Sequence, residues 1–393
     1  MRYSRFTWLG LAATVALSLI ALPAAANAAP LQKHTTRACG APAFGAAACF
    51  AEVVTTTNSS GEVSALAATP TGYGPSALRG AYNLTSSGSS SQTIAIVDAY
   101  NAPTAEADLA TYRSYYGLPA CTTANGCFRK VNQTGGTSYP ATDAGWALEI
   151  SLDVDMASAI CPNCHILLVE ATSASFANLA AAVDEAAALG ATVISNSYGG
   201  SEYYAYLTGM ASHYSHAGVA ITASTGDSGY GVAFPATAPA VTAVGGTTLN
   251  WNGTSRVETA WSGAGSGCSS YFARPSGQAS AGTGCSRHAI GDVSAVANPS
   301  TGVAVYDSTA YSGQTGWFTL GGTSVSSPII ASVIALAGNA SAYTNSYPYS
   351  HTGSLNDVTS GSNGTCSTSQ WCTARAGWDG PTGLGTPHGT GAF

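Results

Sequence analysis

Four short apolar runs constrain the fold more than any other feature of the chain: TIAIVDAY (93–100), HILLVEA (165–171), ATVISNSYGG (191–200) and GVAITAS (218–224). Each has strand length and is mostly β-branched or aliphatic, the pattern of a strand buried on both faces. Helix-like segments lie between and around them, TAEADLATYRSYYG, GWALEISLDVDMASAI and ASFANLAAAVDEAAALG. Strand and helix in alternation predict an α/β fold with a mostly parallel central sheet flanked by helices. In such sheets function gathers in loops beyond the carboxyl ends of the strands. Residues 250–320 and 350–390 read as Gly/Ser-rich and loop-like, and no internal repeat is visible.

The N-terminus carries a targeting pattern. MRYSR is basic, WLGLAATVALSLIAL is apolar, and Ala26-Asn27-Ala28 fits a small-residue cleavage site, so residues 1–28 read as a signal peptide. Residues 29–71 lack periodicity and read as a short propeptide or loose arm, leaving 72–393 as the folded domain. Ten cysteines fall in close pairs, 39/49, 121/127, 161/164, 268/285 and 366/372, which in an exported chain predicts five local disulfides. Cys161-Pro-Asn-Cys164 also matches a redox or half-zinc motif, but no second CxxC or HxxxH accompanies it. Only 12 Lys and Arg, unclustered, in a chain of net charge −7 argue against nucleic acid or an anionic membrane as partner.

The stretch GGTSVSSP (321–328), followed by the apolar IIASVIALAG, presents Ser324 on a Gly-rich turn at a helix start. A serine hydroxyl needs a base to become a nucleophile. The histidines are His34, His165, His213, His216, His288, His351 and His388, and none stands in a catalytic-looking setting. Carboxylates fit better. Glu149 and Asp153 are four residues apart in GWALEISLDVDMASAI, on one helix face about 6 Å apart along the axis. Their flanks are too apolar for a solvated face, which suits Asp155 better. Two acids on such a helix are costly unless they share protons or hydrogen bonds. Asp227 stands in ASTGDSG, directly after a strand, where a site of this fold assembles.

Together these motifs resemble the sedolisin family, serine-carboxyl peptidases of subtilisin-like fold. GGTSVSSP resembles its nucleophile motif, ALEISLDV its Glu-xxx-Asp helix and ASTGDSG its oxyanion-aspartate turn, in the family's order. GYGPSALRGAYNL, FPATAPAVTAVGGTTL and IGDVSAVANPSTGVAVY extend the likeness from about Gly72 to Pro387. The resemblance implies Ser324 as nucleophile, Glu149 as base, Asp153 as its orienting partner and Asp227 as oxyanion donor. It implies an edge for extended substrate at Ser195, Ser197, Tyr198 and Gly199, and one Ca²⁺ held through Asp357, Val358, Arg375, Gly377 and Asp379. Arg375 replaces the first glycine of the usual Gly-x-Gly-x-Asp. Asp98 occupies the catalytic-acid position of true subtilisins and is left outside the triad. Family members often carry a long folded prodomain, for which residues 29–71 are too few. The expectation is a secreted, monomeric, acid-active peptidase on polypeptide substrates. Competing readings are a neutral-to-alkaline Ser-His-Asp subtilase using Asp98, and an inactive secreted binding protein on the same scaffold.

Overall fold

The computed structural model describes residues 1–7, 32–57, 63–64 and 69–393. The expected signal segment, beyond its first seven residues, lies outside the described residues. The central sheet has eight strands: β1 (Thr93–Ala99), β2 (Phe128–Asn132), β3 (His165–Ala171), β4 (Val193–Asn196), β5 (Ala220–Ser224), β6 (Thr242–Trp251), β7 (Arg256–Ala260) and β8 (Val293–Val296). Their order is β7-β6-β5-β4-β1-β3-β2, with β8 also paired to β6. Every pairing is parallel except β6 with β7. The expected mostly parallel α/β architecture is therefore present.

Strand alternation sorts side chains to two faces. Ile94, Ile96, Ile166, Leu168 and Val193 enter one core; Ala95, Val97, Leu167, Val169 and Ile194 enter the other. Helices Ala144–Ile160 and Thr323–Ala337 cover the first face, and helix Phe176–Ala188 covers the second. The Thr323–Ala337 helix buries Ile329, Ile330, Val333 and Ile334 completely, each worth about 1.5–3 kcal/mol against exposure. The chain runs from β1 outward to β2, returns to β3 beside β1, then crosses to β4 on the other side. That reversal opens a crevice beyond the carboxyl ends of β1 and β4.

A second, antiparallel sheet joins Gln32–Arg37, Glu52–Thr57, Gln314–Gly321 and Val303–Tyr311. It corrects two expectations. The described part of residues 29–71 is not loose, because six residues of Gln32–Arg37 pair with Glu52–Thr57, which in turn pairs with Leu320 and Gly321. Residues 250–320 are not mainly loop: Val303–Tyr311 and Gln314–Gly321 form a hairpin. Its turn, Ser312-Gly313, has φ of 49° and 76°, the positive values of a two-residue turn that suits strand twist. All five expected disulfides form. Among the described residues no helix is long and apolar enough to cross a membrane.

The Ala144–Ile160 helix starts on Asp143, whose side chain accepts the Trp146 N–H at 3.0 Å. Asp143→Ala should cost about 1 kcal/mol and lower the thermal midpoint by roughly 2 °C. An unchanged midpoint in scanning calorimetry would remove this cap from the account.

Candidate active site

Two helices and three strand ends deliver the candidate residues to one place. Ser324 is the second residue of the Thr323–Ala337 helix, entered through Gly322 at φ 97°. A Cβ at Gly322 would collide with Phe50 O and come within 2.6 Å of Asp227 Oδ2, so only glycine fits this turn. Four residues on, Pro328 has no N–H to offer Ser324 O. The Ser197 hydroxyl meets that carbonyl instead, at 3.3 Å.

Asp227 follows β5 and is fixed by Thr323, whose N–H and Oγ1 donate to its Oδ1 at 2.8 and 2.7 Å. Its Oδ2 is buried and faces no donor. Burial pushes its carboxyl up to about 8, against the pull of the two Thr323 hydrogen bonds. Burial therefore favours the protonated form of Asp227 in acid, the form that has a hydrogen to donate.

Glu149 and Asp153 do share one face, and both are wholly buried. Glu149 Oε2 accepts the Ala51 N–H at 2.9 Å, and Asp153 Oδ1 accepts the Ser197 hydroxyl at 2.9 Å. Glu149 Oε1 and Asp153 Oδ2 have no hydrogen-bond partner. Asp98, the residue set aside in the sequence, is drawn into the same cluster. It is wholly buried, and neither of its oxygens has a partner. Burial, then mutual repulsion, raises all three: Glu149 through Asp153, Asp153 through Asp98, and Asp98 through Glu149 and Glu170. Buried carboxyls so arranged are tolerable when they share protons. The signal for Asp98 was present in the alternation of β1, where Ile94 and Ile96 mark the face that residue 98 shares.

Ser324 has no histidine among its hydrogen-bond partners. Ser324 Oγ donates to Ser197 O at 3.1 Å and accepts the Phe50 N–H at 3.1 Å, and it lies near enough to Glu149 to favour the charged carboxylate. His288, wholly buried, bonds Thr237 O, while His213 and His216 face Asp184. The expected solvated face for Asp155 is corrected: it is buried and accepts the Tyr306 N–H at 3.0 Å.

The expected substrate edge divides in two. Ser197 O, Tyr198 and Gly199 do line the cleft, with Tyr198 and Gly199 pairing antiparallel to Cys49 and Ala48. Ser195 does not reach it, because it lies within β4 with its hydroxyl on Ser327 Oγ at 3.0 Å. The strand occupying the cleft belongs to the chain itself, and sequence reasoning missed it. Residues 46–50 run between Ala174–Phe176 on one side and Ser197–Gly199 on the other. No periodicity announces such a segment, since its partners lie more than 100 residues away.

Of the expected calcium residues, Asp379 is buried and accepts the N–H groups of Arg375 and Thr382, both at 3.0 Å. Asp357 accepts the Gly377 N–H at 2.9 Å. Burial, with repulsion from Asp357, raises Asp379 to about 7 against those hydrogen bonds. Among the described residues no basic side chain pairs with either acid. No group of three or more His, Cys, Asp or Glu is found there either. Two carboxylates without a basic partner are hard oxygen donors of the kind a divalent cation such as Ca²⁺ takes. Val358 is buried, and what Arg375 brings to Asp379 is its backbone N–H.

Comparison with known proteins bears on the family and the fold. A profile of the Subtilase family matches residues 129–360. Kumamolisin from Bacillus sp. (strain MN-32) is 30% identical over 370 residues, covering 84% of this chain and 64% of kumamolisin. Sedolisin from Pseudomonas sp. (strain 101) is 34% identical over 177 residues, 40% of this chain and 29% of sedolisin. The chain thus spans less than two thirds of the length of either relative. The solved structure of Pseudomonas sedolisin complexed with two molecules of pseudo-iodotyrostatin superposes with a TM-score of 0.69 at 27% identity. That match covers 81% of this chain and 96% of that one.

The raised carboxyls make stability depend on pH. Folded values above the ordinary 3.8 and 4.5 mean the native state holds protons that the unfolded chain gives up. Their contribution is full below about pH 4 and is lost as pH rises through the folded values, about 7 for Glu170, Asp307 and Asp379 and about 8 for Asp227. The Ser324→Ala protein, its carboxyls untouched, should melt several degrees higher at about pH 4 than at about pH 8. A higher midpoint at the alkaline end would sink this account of the cluster.

Proposed function

Since the chain belongs to the subtilase family and matches its sedolisin branch in sequence and fold, we propose that it is a secreted serine-carboxyl endopeptidase active in acid. Its substrates are extended polypeptides. The observation that carries this reading is the convergence of Ser324, Glu149 and a protonated Asp227 around one short length of extended backbone.

An extended substrate adds as a strand along Ser197–Gly199, and main-chain pairing positions it irrespective of most side chains. Ser324 Oγ attacks the carbonyl carbon while Glu149 removes its proton. Asp153, held by the Ser197 hydroxyl one turn further along the same helix face, keeps Glu149 oriented. Negative charge develops on the carbonyl oxygen against the Asp227 carboxyl and the Ser324 N–H, which lies in the first helical turn where no intrahelical acceptor exists. Glu149 then returns the proton to the departing amine, and water hydrolyses the acyl-serine by the same route. A histidine base would be protonated and idle in acid, whereas a carboxylate is available there once ionised. The signal segment and the five disulfides support an extracellular protein.

The pH profile of kcat/KM on an unfolded polypeptide should rise as Glu149 ionises and fall as Asp227 loses its proton near 8, with its maximum below about 7. Glu149→Gln should lower kcat/KM by about 10²–10⁴-fold, and near-full activity would exclude Glu149 as the base. Asp227→Asn donates at every pH, so its alkaline limb should move beyond that of the wild type; an unmoved limb would remove Asp227 from the oxyanion site.

The Asp357/Asp379 loop is assigned to one Ca²⁺, which would tie the C-terminal loop to the domain and neutralise the two acids. Chelation at neutral pH should lower the melting midpoint by about 5 °C, restored by Ca²⁺ and not by Mg²⁺. Asp379→Asn should abolish the difference between chelated and Ca²⁺-loaded protein. Identical melting with chelator and with Ca²⁺ in the wild type would remove the ion.

A further inference from the structure

The segment in the cleft lies as a substrate lies. The Phe50 N–H donates to Ser197 O at 3.2 Å and Ser324 Oγ at 3.1 Å. The next N–H, that of Ala51, donates to Glu149 at 2.9 Å. The Phe50 carbonyl, between these two amides, points its oxygen over Gly322 beside the donorless Asp227 Oδ2. One peptide bond thus has the nucleophile at its acyl side, the base at its nitrogen and the expected oxyanion donor at its oxygen. The neighbouring Cys49–Phe50 bond offers its nitrogen only to Ser197 O and Ser324 Oγ, with no acid to protonate it as a leaving group.

We propose that the chain cleaves its own Phe50–Ala51 bond, so that Ala51 becomes the N-terminus of the working enzyme and the segment ending at Phe50 is its built-in blocking strand. This rests on the peptidase reading above and extends it to a defined bond. Ser324 Oγ forms an ester with the Phe50 carbonyl carbon and gives its proton to Glu149. The Phe50–Ala51 C–N bond breaks as Glu149 delivers that proton to the Ala51 nitrogen. Water then hydrolyses the ester, leaving a Phe50 carboxylate and a restored Ser324 hydroxyl. Both Cys39 and Cys49 precede the cut, so their bridge leaves with the released piece.

The same placement gives the residue preference. The Phe50 ring lies against two glycines: a Cβ at Gly199 would stand 2.8 Å from its edge, and one at Gly226 would stand 3.5 Å away. Backbone without side chains leaves a slot wide enough for a large apolar ring. The residue donating the scissile carbonyl is therefore a large aromatic or aliphatic one.

Purified full-length protein, prepared at neutral pH and shifted to about pH 4, is followed by intact mass and N-terminal sequencing. Added unfolded casein is assayed in parallel. The expected product begins at Ala51, forms with a first-order rate unchanged over a tenfold dilution, and is absent in Ser324→Ala. Phe50→Asp slows its appearance by at least about tenfold, while Phe50→Leu stays within a few-fold, which separates pocket fit from a folding defect. Casein hydrolysis by a protein whose first new N-terminus is elsewhere overturns the Phe50–Ala51 assignment and leaves the peptidase reading standing. So does a self-cleavage rate that scales with protein concentration. Neither self-cleavage nor casein hydrolysis anywhere between about pH 3 and pH 8 overturns both.

Discussion

Three acids, Asp98, Glu149 and Asp153, share a space from which water is excluded, and much of the site follows from how they coexist. Among the described residues no Lys or Arg pairs with them, and their four oxygen atoms without partners show that hydrogen-bond donors do not resolve the conflict either. What remains is to hold protons in common. Acid is then the condition in which burying these carboxyls costs the fold least.

The sealing of that space depends on the arm. Ala51 is the residue that covers Glu149 Oε2, and Phe50 covers Ser324. The burial that raises these carboxyls therefore belongs in part to the blocked state. Release of the segment ending at Phe50 would uncover Ser324 and admit water beside Glu149, where Ala51 stays, and the penalty for the charged carboxylate would shrink. Opening the cleft and preparing the base are in this way one event.

Much of this was legible in residues 93–224. Runs such as HILLVEA have the β-branched character of buried strands, and HILLVEA itself coincides with β3 to the residue. Glu149 and Asp153 stood out because Leu148, Ile150, Leu152 and Val154 leave a charged pair nowhere to go. The burial of Asp155 was not legible, since its partner is the main chain of Tyr306, 151 residues away. Nor was the ordering of residues 46–50, which have no hydrophobic period of their own and borrow their conformation from two distant edges. The hairpin after residue 303 was obscured by its Ser-Gly turn, a weaker signal than Asn-Gly between strands. Ser195 was misplaced for a related reason: a strand and the edge that follows it read as one run, ISNSYGG, although only its end turns outward.

The five disulfides close spans of only 3 to 17 residues, and each cysteine's partner is its nearest neighbour in the sequence. Pairing therefore requires no long-range structure to have formed. Each bridge can close as soon as its own loop is exposed to an oxidising environment, and a wrong pairing has to span a greater length of chain than the right one. The slow part of acquiring this structure is thus shifted onto the parallel sheet, whose strands must find partners across crossovers. Oxidation fastens the rims of the molecule without dictating the order in which its centre assembles.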